Sequence, residues 1–308
     1  MPTLFRPKGF RYNAAVLIFC LTISVTISAG LHAQQRAQQA ATKHCLWEVE
    51  TQSSKIYLLG SLHVLKSDAY PLPQVIENAY ASSRKIVFET DLGGMMNADV
   101  QAKMLTLGLY PEDQDLLQNI SEDTRRSLEK KMKNLGLPME QFVRFRPWFL
   151  AVTLATLELQ RLGFNPLYGI DMHFYGKARS DEKKIAFLES VEFQLDLLGR
   201  MNTHDQNAFL NQTLKDLELA AQKASDMMTY WQAGDGENLY KLLFESFEGY
   251  PQIQDRLLIR RNKDWATKIG QMLKETDTVL VIVGAGHLIG PNSVVELLKQ
   301  KGYTVTQR

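Results

Sequence analysis

Leu280-Val281-Ile282-Val283, followed by Gly284-Ala285-Gly286-His287, has the pattern of a buried strand that ends in a tight turn and a histidine. The same pattern occurs near the start of the chain, where Ile56-Tyr57-Leu58-Leu59 leads into Gly60-Ser61-Leu62-His63. Apolar runs rich in β-branched residues predict buried strands, and glycine permits the sharp turn after each. Open α/β folds bind ligands at the carboxyl edge of the sheet, so both histidines are expected at that edge.

The rest of the chain alternates strand and helix patterns and predicts an α/β fold with a central mixed β-sheet and helices on its faces. Residues 46–50 and 55–59 flank a turn and predict an antiparallel hairpin. Residues 85–89 and 184–189 predict two further strands, and 202–233 and 252–275 predict long helical regions. Two helical insertions, at about 95–163 and 200–247, are expected to cap the site.

Composition separates this chain from several classes of protein. It has 308 residues, 45% hydrophobic and 22% charged, which is ordinary globular usage. Lys+Arg number 35 and Asp+Glu 34, a net charge of +1. Without a basic field or a clustered Lys/Arg face, the sequence predicts no nucleic-acid partner.

The N-terminus has the layout of a secretory signal. Arg6, Lys8 and Arg11 precede an uncharged run at 14–29, and small or polar residues continue to Ala33. The sequence therefore predicts a signal peptide at 1–33, a polar tether at 34–44 and a single domain at 45–308. An extracytoplasmic location follows, in the periplasm or cell envelope. Membrane association is expected only if this segment stays uncleaved as an anchor.

Two glutamates follow predicted strands in the same way. Glu89 closes the strand at 85–89 and Glu189 closes the one at 184–189. A carboxylate at the end of a buried strand is costly unless it is paired, bound to a metal or hydrated. Glu89 is therefore a candidate general base or metal ligand, with a salt-bridged structural role as the alternative.

Two further candidates come from helical segments. His173 lies near a predicted helix start, two residues after Asp171, which is interpreted as a helix N-cap. From there His173 is predicted to point into the same cleft as the other histidines. In Arg260-Arg261, one arginine is expected to be solvated and the other to bind a carboxylate or an oxyanion.

Several ordered sequence blocks resemble the TraB/GumN family, which includes the Tiki-type metalloproteases. The blocks are Leu59–Val64, Val87–Leu92, Arg146–Trp148, Gly169–Phe174, Leu188–Leu195, Arg261-Asn262, Val283–Gly290 and Gly302–Val305. The resemblance implies an α/β fold shared with erythromycin-esterase-like and haem-binding ChaN-like proteins. It also implies metal-dependent peptide cleavage, with the two Gly-x-x-His motifs and a glutamate as the functional groups. These positions are His63, His287 and Glu89.

The leading hypothesis is thus an exported metal-dependent hydrolase, most simply a peptidase acting on a peptide or small-molecule substrate. His63, His287 and His173 would hold a divalent cation such as zinc, manganese or cobalt, and Glu89 would take a proton from water. Glu189 or Arg261 would orient the substrate or stabilise the oxyanion. The alternatives are a metal-free, esterase-like hydrolase and a non-enzymatic protein that binds metal or haem.

Overall fold

The structure is a computed structural model that describes residues 43–308. The predicted signal peptide and most of the predicted tether lie outside the described residues. The strands are β1 (Leu46–Glu50), β2 (Lys55–Ser61), β3 (Lys85–Phe88), β4 (Lys184–Phe187), β5 (Thr278–Gly284) and β6 (Val305–Gln307). All of them join one sheet, in the order β4-β3-β5-β2-β1-β6.

The sheet is mixed, as the sequence predicted. β4, β3, β5 and β2 are mutually parallel neighbours, and β1 pairs antiparallel with both β2 and β6. In the central pairing, Gly60 of β2 lies opposite Val283 of β5, and Ser61 lies opposite Gly284. The two strand ends that carry the Gly-x-x-His motifs therefore lie side by side.

The helices follow the strands in the alternating order of an α/β fold. They are α1 (Gln74–Ser82), α2 (Ala98–Gly108), α3 (Glu122–Leu135), α4 (Pro147–Arg161), α5 (Ile170–Ser180), α6 (Val191–Gly199), α7 (Thr203–Asp216), α8 (Ala220–Gln232), α9 (Gly236–Glu245), α10 (Pro251–Gln254), α11 (Arg260–Met272) and α12 (Val294–Gln300). A π-helical turn, Asp255–Ile259, joins α10 to α11. Within residues 43–308, no helix combines the length and the apolar content needed to cross a membrane.

Two hydrophobic clusters stabilise the fold. The larger surrounds the sheet, whose central strand β5 has apolar residues that are almost completely buried from Val279 to Val283. The smaller lies among the helices of the two insertions and includes Leu128 of α3, Leu154 of α4 and Leu210 of α7. The insertions thus pack against each other through a core of their own.

Two predicted helical regions are interrupted. Residues 202–233 form two helices, α7 and α8, and Leu217, which caps the end of α7, is buried in the smaller hydrophobic cluster. Residues 252–275 change from α-helix to a π-helical turn and back before Glu275. Turns of the π type are rare and are frequent at functional sites, and this one lies just before Arg261.

Candidate active site

Four parallel strands each end near one candidate residue. In sheet order, β4 is followed by Glu189, β3 by Glu89, β5 by His287 and β2 by His63. Because parallel strands share a carboxyl edge, four groups that lie far apart in sequence meet along one side of the sheet. The structure therefore brings both histidines and both glutamates to the edge at which open α/β folds place their ligands.

His63 is held by a carboxylate that comes from helix α5. Its Nδ1 lies 2.8 Å from Asp171 Oδ2, and Ser61 Oγ donates to Asp171 Oδ1 at 2.8 Å. A carboxylate only accepts hydrogen bonds, so Nδ1 carries the proton and Nε2 is left for the cleft. Gly169, at the start of α5, lets this helix approach the His63 backbone closely, because a Cβ at this position would lie 2.3 Å from the His63 carbonyl oxygen.

The charge of Asp171 sets the protonation of His63. The carboxylate lies against the ring and raises the pKa of His63 to about 9. The His63 side chain is 65% exposed and forms part of the wall of a cleft. His63 is therefore a protonated imidazole at neutral pH, and its Nε2–H is available to a bound molecule.

Glu89 lies at the centre of the group and accepts several hydrogen bonds. Oε1 accepts from the Gly284 N–H at 2.6 Å, and Oε2 accepts from Arg261 Nη2 at 2.9 Å and from Gln194 Nε2 at 3.2 Å. Burial alone would raise the pKa of this carboxyl. At the low pH where this carboxyl titrates, the His287 and His63 imidazoles are both protonated, and together with the Arg261 guanidinium and the Gly284 N–H they lower the pKa of Glu89 to about 2.

Arg261 is the cation that links the other groups. Its Nε and Nη2 donate to the Glu189 carboxylate at 2.9–3.0 Å, and Nη2 also reaches Glu89. Nη1 donates to the Leu257 carbonyl in the π-helical turn at 2.9 Å. The guanidinium also lies 4.6 Å from the centre of the Trp265 ring. With only 9% of its side chain exposed, Arg261 is a buried cation shared by two carboxylates.

His287 is neutral, and both of its nitrogens are engaged. An arginine can only donate, so Nε2 accepts the hydrogen bond from Arg261 Nη1 at 3.0 Å. Nδ1 then carries the proton and donates it to Asn262 Oδ1 at 2.5 Å. Burial of the ring lowers the pKa of His287 to about 3. This histidine therefore holds the side chains of Arg261 and Asn262 in place and carries no charge at neutral pH.

A cleft of about 570 Å³ opens beside these groups. Its polar wall contains His63, Glu89 and Arg261. Most of the remaining wall is leucine and phenylalanine from α6, α7, α9 and the π-helical turn. This volume lies within the ~300–1,000 Å³ range of small-molecule and cofactor sites.

His173 lies apart from this group. Its ring contacts Tyr70, with the ring centroids 4.8 Å apart, and its Nε2 lies 3.7 Å from Glu77 Oε1. Within residues 43–308, His173 Nε2 is buried and has no hydrogen-bond partner. Burial lowers the pKa of His173. The structure therefore does not bring His173 into the cleft with His63 and His287.

Three supporting residues were not predicted from the sequence. Asp171 was interpreted as a helix N-cap, yet Gly169 occupies that position and Asp171 binds His63 instead. Asn262 fixes the tautomer of His287, and Gln194 donates to Glu89. All three lie within or beside the sequence blocks quoted for the family resemblance, which is the signal that would have identified them.

The fold and the site define an α/β protein with a His–Asp pair, a buried glutamate–arginine network and an apolar cleft at the sheet edge. The family model described as TraB/PrgY/gumN matches residues 45–307, and the chain belongs to that family. No solved structure matches the chain significantly.

Three relatives illustrate how far the similarity extends. The uncharacterized Escherichia coli (strain K12) protein YbaP is 26% identical over 243 residues, covering 79% of this chain and 87% of YbaP. Metalloprotease TIKI2 of Xenopus tropicalis is 22% identical, covering 92% of this chain and 63% of its own length. An uncharacterized protein of Treponema pallidum (strain Nichols) is 20% identical, covering 83% and 80% respectively.

The TIKI relatives are metalloproteases by name, but the side chains here do not form a three-ligand metal site. Protein zinc sites use at least three side-chain donors at about 2.0–2.3 Å. His287 Nε2 accepts from Arg261, so that lone pair is not free, and His173 lies elsewhere. No group of three His, Cys, Asp or Glu side chains in residues 43–308 is arranged to hold a metal. The Arg261 guanidinium lies between the Glu89 and Glu189 carboxylates, so the cation at this position is an arginine.

Proposed function

We propose that this protein is a hydrolase that cleaves peptide bonds at the His63–Glu89 end of the cleft. The observation that carries the proposal is that His63 Nε2 and Glu89 Oε1 face a common point above Gly284 on one wall of the cleft. His63 is cationic because of Asp171, and Glu89 is anionic because of Arg261 and the Gly284 N–H. The names of the TIKI relatives support peptide as the substrate class.

Each group has a role that follows from its charge. A carbonyl carbon of the substrate is attacked by water, whose proton passes to Glu89. His63 then gives the proton on Nε2 to the departing amine as the carbon–nitrogen bond breaks, and the Glu89 proton returns to His63. Arg261 and Glu189 do not touch substrate in this scheme. They hold the Glu89 carboxylate in place and keep it ionised.

Gly284 provides the space for the attacking water. A Cβ at this position would lie 3.2 Å from Glu89 Oε1 and 3.3 Å from His63 Nε2. These two reactive atoms therefore face a common point that the glycine leaves open. A water molecule there has one group to accept its proton and one group to supply a proton.

The test is peptide cleavage by the purified protein and by three variants. Glu89→Gln and His63→Asn should each lower kcat by at least ~100-fold, the usual contribution of a general acid or base. His204→Asn, which changes an exposed histidine, should leave kcat unchanged. Wild-type kcat/KM should fall above about pH 9, where His63 loses its proton. Full activity of Glu89→Gln would exclude the proposed mechanism.

A metal-dependent hydrolase is the second candidate, and one structural observation favours it. Both His63 and His287 place Nδ1 against a side-chain oxygen, an arrangement that commonly supports metal-binding imidazoles. Binding would require Arg261 to release His287 Nε2. Elemental analysis and activity after chelation distinguish the candidates. We expect activity to survive chelation; loss that zinc, manganese or cobalt restores would favour the metal-dependent enzyme.

We also propose that the protein is exported. The basic residues, the uncharged run at 14–29 and the small residues before Ala33 support this location. The intact mass of the protein recovered from the cell envelope tests it. Removal of residues 1–33 is expected, and an uncleaved, cytoplasmic chain would refute the proposal.

A further inference from the structure

The apolar wall of the cleft is more extensive than the chemistry at its polar end requires. Eight of its residues are leucine or phenylalanine, contributed by α6, α7, the end of α9 and the π-helical turn. They include Leu197, Leu198, Phe209, Leu243, Phe247 and Leu258. All of these side chains are only half-buried in the structure.

Most of these side chains lie outside the two hydrophobic clusters of the fold. Of residues 43–308, neither hydrophobic cluster includes Leu197, Leu198, Phe247 or Leu258. Apolar surface left in contact with water is unfavourable relative to the same surface buried against a ligand. Contiguous apolar surface beside a charged cluster is typical of a ligand-binding site.

Apart from the Nε2–H of His63, the charged groups at the other end already have hydrogen-bond partners within the site. The amide of Gln194 donates to Glu89 and Glu189, and Arg261 is shared between the same carboxylates. Within the described wall of the cleft, no charged side chain remains beyond His63, Glu89 and Arg261. A charged substrate side chain placed against the leucines would therefore lose its hydration without gaining a partner.

We infer that this cleft is a specificity subsite for a large apolar side chain on one side of the scissile bond. The inference rests on the proposed hydrolase function. Leu243 lies where the apolar wall meets the polar end of the site. A Cβ added to Gly286, in the second Gly-x-x-His motif, would be 3.8 Å from Leu243 Cδ1. A leucine, methionine or phenylalanine of the substrate would enter between Leu243 and the π-helical turn, with its carbonyl directed at His63 and Glu89.

The inference is tested by cleavage of peptides that differ only at the residues flanking the scissile bond. Leucine or phenylalanine at one flanking position should raise kcat/KM by roughly 10–100-fold over alanine, the range available to an apolar pocket. Aspartate there should be cleaved less well than alanine. Leu243→Trp, which fills the cleft, should remove the preference for leucine. Leu242→Trp is the matched control, because Leu242 is adjacent and lines other cavities.

A binding measurement separates this inference from the proposed function. N-acetyl-phenylalanine amide should shift the NMR signals of Leu243 and Leu258, and N-acetyl-aspartic acid amide should not. Binding of the phenylalanine amide without any peptide cleavage would overturn the hydrolase and keep the apolar subsite. Equal cleavage of all peptides, with no binding of either amide near Leu243, would overturn the subsite and keep the hydrolase.

Discussion

Replacing Arg261 should be far more damaging than replacing its neighbour Arg260. Arg261 is 9% exposed and is shared by Glu89 and Glu189, which are 12% and 4% exposed. Arg261→Met would leave two buried carboxylates without the guanidinium that they share. Removal of one partner from a buried ion pair typically lowers the free energy of unfolding by about 3–5 kcal/mol. For a domain of this size we expect the melting temperature to fall by roughly 6–20 °C.

Arg260 offers a matched control one residue away. It lies on the same helix and is 79% exposed, and its partner is Asp255 at the surface. Arg260→Met should change the free energy of unfolding by less than ~1 kcal/mol, as for other exposed ion pairs. Urea unfolding followed by circular dichroism measures both variants.

A double variant tests the cause of the loss. In Arg261→Met/Glu189→Gln one of the two unpaired charges is removed, while a glutamine oxygen still accepts from Trp265 Nε1, as Glu189 does at 2.9 Å. Part of the stability lost in Arg261→Met should return. Equal stability of Arg261→Met and Arg260→Met would refute the assignment of Arg261 as the cation that neutralises this site.

Three further predictions concern the geometry and charge of the site. Gly284→Ala should lower kcat for peptide cleavage at least ~10-fold, because the added methyl crowds the point between Glu89 Oε1 and His63 Nε2. The control Gly176→Ala, whose methyl would enter open space, should keep full activity in the same assay. Asp171→Asn should lower the pKa of His63, because its largest favourable charge is lost; an NMR titration with an unchanged pKa would contradict this cause. As the pH falls from about 6.5 to 4.5, His287 gains a proton in the unfolded chain but not in the folded chain. The free energy of unfolding should therefore drop by up to ~1.4 kcal/mol for each pH unit of acidification. Urea unfolding at several pH values measures this slope, and an unchanged slope in His287→Asn would contradict the assignment.

Strands β1 to β5 were predictable from local pattern, because each is a short apolar run followed by glycine or glutamate, whereas their order in the sheet was not predicted. The predicted hairpin at 46–50 and 55–59 is present, with β2 extended to Ser61. The mixed α/β class followed from the alternation of strands and helices and is confirmed. The helix interruption at Leu217 was not predicted, and the contacts of Leu217 with distant helices in the smaller cluster leave no local pattern in the sequence.

The site was predictable only in part, for a physical reason. His63, Glu89, Glu189 and His287 each follow a recognisable strand, and the structure brings them together. Contacts that join different elements left no such local pattern. The pairing of His63 with Asp171 spans 108 positions and depends on the close approach of Gly169 to the His63 carbonyl. The choice between Arg260 and Arg261 likewise depended on which face of α11 is buried.

The central pairing of β2 with β5 has a consequence for folding kinetics. β5 lies between β2 and β3 in the sheet, although more than 200 residues separate the paired positions Gly60 and Val283. Closing a loop of that length costs conformational entropy before the strand contacts stabilise the chain. Folds that are rich in contacts between residues distant in sequence therefore fold slowly. A refolding intermediate that lacks β5 also lacks His287 and the Gly284 N–H that binds Glu89. The recovery of catalytic activity during refolding should therefore report when β5 is inserted between β2 and β3.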